Sequence, residues 1–353
     1  MTAIPALMAA AAWSPTWQVD LLDDGDNLIA RLDGVTAGRV LQTQGTSVGE
    51  AGELTFDQRL PEELDWHHHR VRLTRNPGVA GVEPWPVATL LFQQPRRAQQ
   101  DGWSTRHVQL VGKLSRLEQW QIGEVLVVPQ GTDPVAWAAA VVEEKLGGLV
   151  SATPTEQRLS ADQSFEPGDS WLKVINELLG AANYRSLFCD GLGVPQLAPY
   201  ELPAARSVTA TLTDEDGTAL HQPEWDYAPD LEVPNHVVLE QQGSGEEPGL
   251  VVEAWNDDPD DPYSIVNSPV RSHYESAEFT DLATGQELAR RKLVDLHNIN
   301  NDLDIECATL PLRPGDRFHF HDQGNSYDVT VWEVEHQVED LADMRVKGKE
   351  VVS

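Results

Sequence analysis

The chain has 353 residues, is 40% hydrophobic with 11 Trp, and carries a formal net charge of −32. That apolar content excludes wholesale disorder, and the length fits roughly two to three domains. The charge argues against binding a DNA or RNA backbone or an anionic membrane surface, which needs clustered Lys and Arg, and no stretch reaches the roughly 18 apolar residues of a membrane span.

Residues 1–14 begin MTAIPALMAAAAW, apolar and small but without the basic start of a signal peptide, and are expected to form a flexible leader or arm. Residues 15–127 read as a β-barrel-like domain. Trp17–Leu22, Leu28–Leu32, Leu54–Leu60, Val71–Thr74, Val87–Gln93 and His107–Leu114 have strand character, and turns such as Asp23-Asp24-Gly25-Asp26 and Asn76-Pro77-Gly78 separate them. The segment from Pro95-Arg96-Arg97 to Asp101-Gly102 reads as a hairpin tip.

Residues 128–203 change character. Thr132 or Asp133 caps a helix with Pro134 in its first turn, Val135–Leu146 as its body and Gly147-Gly148 at its end. After a linker, Glu166–Tyr200 spells an amphipathic helix feeding into a β-hairpin. Asp169 stands where an N-cap belongs, and Trp171, Val174, Ile175, Leu178, Leu179 and Ala182 recur at helical spacing. Tyr184–Cys189 reads as a strand, Asp190-Gly191-Leu192-Gly193 as a turn and Val194–Tyr200 as the return. None of these residues is chemically active, so the unit points to assembly rather than to an active site.

Residues 204–353 return to strands: Ser207–Thr213, His236–Glu240, Leu250–Trp255, Leu303–Leu310, Arg317–His321 and Ser326–His336. One helix, Thr280 to about Leu296, places Leu282, Ala289, Leu293 and Leu296 on one face, and Arg313-Pro314-Gly315-Asp316 is a turn. The expected fold class is mainly β with a smaller α/β part: two β-barrel-like domains flanking a helix-hairpin α/β domain.

Candidate chemistry is sparse. On a strand, His67 and His69 share one face and His68 takes the other, which leaves only two metal ligands together. His319 and His321 form a second same-face pair with no local third ligand. Asn256-Asp257-Asp258-Pro259-Asp260-Asp261-Pro262 crowds four carboxylates into a loop but lacks the ligand alternation, central Gly and terminal Glu of an EF-hand, so a solvated acidic turn is expected. Cys189 and Cys307 sit in apolar strand-like runs, without metal-ligand spacing or a disulfide framework. There is no Walker lysine loop or H-E-x-x-H helix. No catalytic, cofactor-binding or metal residue is assigned, and no cofactor is expected.

The run GDSWLKVINELLGAANYRSLFCDGLG at 168–193 resembles the helix-hairpin unit of tail hub, or minor tail (baseplate-hub-like), proteins of long-tailed bacteriophages. The order of later segments is similar too: Pro234-Asn235-His236-Val237-Val238-Leu239, the Asp/Pro loop with Tyr263-Ser264, Ala289-Arg290-Arg291-Lys292-Leu293, and Leu312-Arg313-Pro314-Gly315-Asp316. The resemblance covers roughly residues 125 to 340, and the N-terminal domain only by architecture. It implies a non-enzymatic homotrimer at the virion tail tip, assembled in the host cytoplasm, whose six β domains adapt a sixfold tail tube to a threefold tip. The implied partners are distal tail and tube proteins, the tape measure protein and a central spike or fibre. DNA would pass through the ring without stable binding, past an acidic lining that repels it. The other reading, motivated by the 11 Trp and the β-rich outer domains, is a carbohydrate-binding β-protein for host-surface recognition.

Overall fold

The computed structural model describes residue 7 and residues 14–57, 64–100, 103–213, 226–229, 232–241, 249–277, 279–298, 301–322 and 324–351. The expected leader lies outside these residues except for Leu7 and Ser14, and Leu7 is fully buried in the C-terminal core.

The N-terminal β unit contains β1 (Thr16–Leu22), β2 (Leu28–Arg31), β3 (Val35–Thr43), β4 (Glu50–Phe56), β5 (Arg70–Asn76), β6 (Trp85–Gln100) and β7 (Trp103–Gly112). They hydrogen-bond antiparallel in the order β3-β4-β7-β6-β5-β1-β2. Alternation explains the pairing: Val19 and Leu21, Leu54 and Phe56, Val71 and Leu73, Ala88 and Leu90, and Val108 and Leu110 turn inward to one core. The hairpin expected at Pro95–Gly102 is longer than read, because β6 and β7 pair out to Gln100 and Trp103. The tip itself, 101–102, lies outside the described residues.

A helical unit follows, with α1 (Ser115–Gln119), β8 (Leu126–Val128), α2 (Pro134–Leu146), β9 (Ser151–Ala152), β10 (Gln163–Phe165), α3 (Trp171–Ala181), β11 (Phe188–Cys189) and β12 (Pro195–Leu197). Asp133 caps α2 by accepting from the amides of Val135 and Ala136 at 3.0 and 2.9 Å, with Pro134 at the first helical position. The expected cap of α3 was one residue early. Ser170 Oγ accepts from Lys173 N at 3.1 Å, while the Asp169 carboxylate takes the Glu166 amide and the Lys173 ammonium. Leu172, Ile175 and Leu179 pack on Val135, Ala138 and Val142 of α2, while Val174 and Leu178 face Val128 and Phe165. The strand read at Tyr184–Cys189 shrinks to Phe188–Cys189, with Tyr184 bridging Pro199 alone.

The C-terminal β unit holds β13 (Val208–Thr213), β14 (Asp226–Pro229), β18 (Asn301–Cys307), β19 (Arg317–Asp322), β20 (Asn325–Gln337) and β21 (Met344–Glu350). Its strands follow β14-β18-β21-β20, with β19 on β20 and β13 parallel to β19, around Leu212, Ile305, Phe318, Phe320, Val329 and Val346. Between β14 and β18 the chain forms β15 (His236–Gln241), β16 (Leu250–Trp255), β17 (Ser272–Ser276) and α4 (Leu282–Asn298). The three strands make their own sheet, β16-β15-β17, covered on one face by α4 through Ala289 and Leu293. Leu282, expected on the apolar face of this helix, is instead exposed in its first turn.

Both β units belong to one thirteen-stranded sheet, because Arg39–Thr43 of β3 pair antiparallel with Glu333–Gln337 of β20. Fully buried Arg75 of β5 reinforces this seam, donating to the carbonyls of Glu339 and Ala342 at 3.3 and 3.2 Å. The fold is mainly β, with a large, mostly antiparallel sheet and small helices.

Candidate functional site

The histidine triplet lies in the turn that leads directly into β5, so its side chains do not alternate across a strand. His68 Nδ1 meets Asp65 Oδ2 at 2.7 Å, and His69 Nδ1 accepts from the Asp65 amide at 3.1 Å, so the local carboxylate organises a turn. His319 and His321 do share the outer face of β19, with ring centroids 6.2 Å apart and Asp328 at 3.6 Å from His319. The acidic loop folds on itself. Asp261 is buried rather than solvated; its carboxylate accepts from Asn256 Nδ2 at 2.7 Å and from Tyr263 N at 2.8 Å, and faces His297 Nε2 at 3.1 Å. Among the described residues no group of three or more His, Cys, Asp or Glu is placed to hold a metal ion. Cys307 is buried in the C-terminal core and Cys189 half-buried at the hairpin, and both are free thiols. Burial pushes both thiols up, which makes them poor nucleophiles.

Among the described residues, several tryptophan rings have one face covered by a cation or a histidine ring. Lys145 Nζ stands 4.3 Å from the Trp120 ring and 4.8 Å from Trp171, Lys349 stands over Trp332, Arg75 over Trp17, and the His236 ring stacks on Trp255 at 3.4 Å. Apolar exposure gathers instead on the free face of the small sheet. Val251, Trp255 and Tyr274 are 54%, 44% and 61% exposed there, with Val266 and Val270 close in sequence. Such a face on a folded chain suits contact with another protein.

A cleft of about 300 Å³ lies where the two β units, the hairpin and α4 converge. The β3–β4 connection forms one wall, Phe188 and Cys189 of β11 another, Arg291 and Asp295 of α4 a third, and Trp332 of β20 the floor. The turn read at Arg313–Asp316 closes one end, with Asp316 N bonded to Arg313 O at 3.0 Å and Gly315 at φ 95°. Glu50, buried on the wall, accepts from Gln42 Nε2 at 3.0 Å, and its burial raises the carboxyl to about 7. Sequence reasoning missed this cleft, since its residues run from 42 to 349 with no local motif.

No family model matches the chain, and no curated protein matches it in sequence. Solved structures do. A tail protein from Neisseria meningitidis MC58 superposes with a TM-score of 0.70 at 13% identity, covering 96% of this chain and 97% of that one. The fold is one found in tail proteins. The 43 kDa tail protein of prophage MuSo2 from Shewanella oneidensis follows at 0.61, with 12% identity over 94% and 98% of the two chains. A type VI secretion component of E. coli, described as similar to the T4 bacteriophage tail proteins gp27 and gp5, reaches 0.52 at 9% identity over 98% and 76%. The resemblance noted around 168–193 and the shared fold agree.

Proposed function

We propose that this chain is a structural virion protein of a phage tail, with three copies forming a hub at the distal end. The hub adapts the sixfold tail tube to a threefold tip and forms part of the conduit for DNA and the tape measure protein. The observation that carries this reading is the pairing within one chain of two β units, each with its own core, joined edge to edge through β3 and β20. Three such chains offer six β units to a tube while keeping threefold symmetry below. The tail-protein fold over nearly the whole chain supports it further.

In this reading the protein acts by geometry and not by catalysis. Its neighbours are the tube above and a spike or fibre below, and its place is the tail tip, reached by assembly in the host cytoplasm. A net charge of −32 favours rapid passage of a polyanion through the ring. Native mass measurement of the purified chain, followed by imaging, tests the proposal. Three chains around a central hole are expected. A single copy per tail in the intact particle, or β units that do not superpose even loosely, would overturn it. Glycan-array binding mapped to a tryptophan would favour host-surface recognition instead.

A further inference from the structure

Five of the chain's 25 Lys and Arg line the junction cleft: Arg185, Arg206, Arg291, Arg313 and Lys349. They face the carboxyls of Asp295 and the buried Glu50, in a molecule with 57 Asp and Glu. What holds the guanidiniums is mostly backbone. Arg206 donates to Glu201 O at 3.0 and 2.9 Å and to Gly315 O at 2.9 Å. Arg313 donates to Pro86 O at 2.8 Å, Arg291 to Tyr184 O at 2.8 Å and Arg185 to Pro314 O at 3.4 Å. A carbonyl satisfies donor geometry without cancelling the donor's charge. Arg291 also faces Asp295 at 3.6 Å, a carboxyl shared with the Tyr200 hydroxyl at 3.0 Å, and Asp316, which accepts from the Arg313 amide, also attracts Arg185, Arg206 and Arg313. The four guanidiniums still outnumber the three carboxyls of Glu50, Asp295 and Asp316, which leaves a surplus of positive charge in a partly closed space. Burial pulls the Arg185 and Arg206 guanidiniums below their ordinary range, and for Arg185 the Arg206 charge adds to this.

Leu187, Phe188, Pro314 and Trp332 add apolar surface to a lining that also carries polar Gln42, Gln44, Ser47 and Thr330. At about 300 Å³ the cleft is at the small end of ligand sites. We propose that it binds a carboxylate, the chemistry shared by a peptide C-terminus and a small dicarboxylic acid. A long polyanion is disfavoured by the −32 field of the whole molecule, whereas one carboxylate meets mainly the local guanidiniums. Nothing in this inference requires three copies, so it stands or falls separately from the hub reading.

Calorimetric titration of the full chain with N-acetyl-Leu-Phe, its C-terminal amide, succinate and inorganic phosphate tests the site. At least one of the two carboxylates is expected to bind, the amide about tenfold more weakly than the acid, with affinity falling as salt rises. Preference for the peptide acid identifies a protein terminus as the source, and preference for succinate identifies a small acid. Arg185→Gln and Lys349→Gln are each expected to weaken binding about fivefold, and Arg185→Lys to retain more of it. If Arg185→Gln does not fold, Lys349→Gln reads the same charge from a side chain lying over Trp332. No heat from either carboxylate, equal binding of acid and amide, indifference to both substitutions, or phosphate binding as tightly as the carboxylates would each overturn the proposal.

Discussion

Two buried ionisable residues give this molecule opposing responses to pH. His336, 2% exposed and set edge-on to Trp17, is pulled down to about 3 by burial first and by the Arg75 and Arg313 charges second. The unfolded chain takes up a proton near the ordinary value of 6.5 while the folded one refuses it. The stability is therefore complete above about pH 6.5 and drains away as pH falls toward 3, by roughly 2 kcal/mol at pH 5. Thermal unfolding of His336→Phe should show a flatter decline between pH 7 and 5 than the parent. Glu50 runs the other way. Its carboxyl is raised from 4.5 to about 7, so its folded state is favoured below about pH 4.5 and loses ground as pH rises through 7. Oε2 of Glu50 has no hydrogen-bond partner, and an amide there carries no charge to bury. Glu50→Gln is expected to stabilise the fold by on the order of 2 kcal/mol at pH 8 and by little at pH 4.5. Denaturant unfolding at the two pH values checks this, and an equal effect at both would remove the explanation.

At the level of elements, the helix-hairpin unit depends on one cap and one close approach. Ser170→Ala removes the acceptor for Lys173 N and the bond to Glu118 at 3.3 Å, and should cost about 1 kcal/mol in equilibrium unfolding. Gly191 matters more. Its carbonyl accepts from Thr89 Oγ1 at 3.0 Å, and a Cβ there would lie 2.0 Å from Pro86 O and 2.3 Å from Arg313 Nη2. Gly191→Ala must push the hairpin off β6, at a cost of about 2 kcal/mol. An unchanged unfolding midpoint would show that the turn is not seated there. These elements were legible because their signals are local: Asp133-Pro134 with Gly147 for α2, a one-sided apolar stripe for α3, and Asp190 holding Leu192 N and Val194 N in the turn. β3, β17 and β21 were not legible. Arg39, Glu275 and Lys347 break any apolar alternation there, and pairing with β20, β15 and β18 holds the three segments as strands. The cleft was hidden for the same reason. Arg185, Arg291 and Lys349 have no pattern in common until the fold gathers them.

For the whole molecule, charge is the dominant constraint on assembly. In the proposed hub, three chains of −32 would repel one another unless ions screen them, so a hub held by apolar faces should tighten as salt increases. Sedimentation from about 0.02 to 0.3 M salt is expected to move the population from one chain toward three. A mass that falls with salt would instead point to contacts made by ion pairs.

The seam between β3 and β20 has a consequence for how the protein comes into being. Arg39–Thr43 leave the ribosome long before Glu333–Gln337, the strand that covers their open edge. Until that strand is made the nascent N-terminal β unit exposes an unpaired edge, which could recruit a neighbouring chain's strand. Closure over so long a sequence separation is intrinsically slow, so the rate of production, as much as the finished stability, governs how much of the chain reaches its native form.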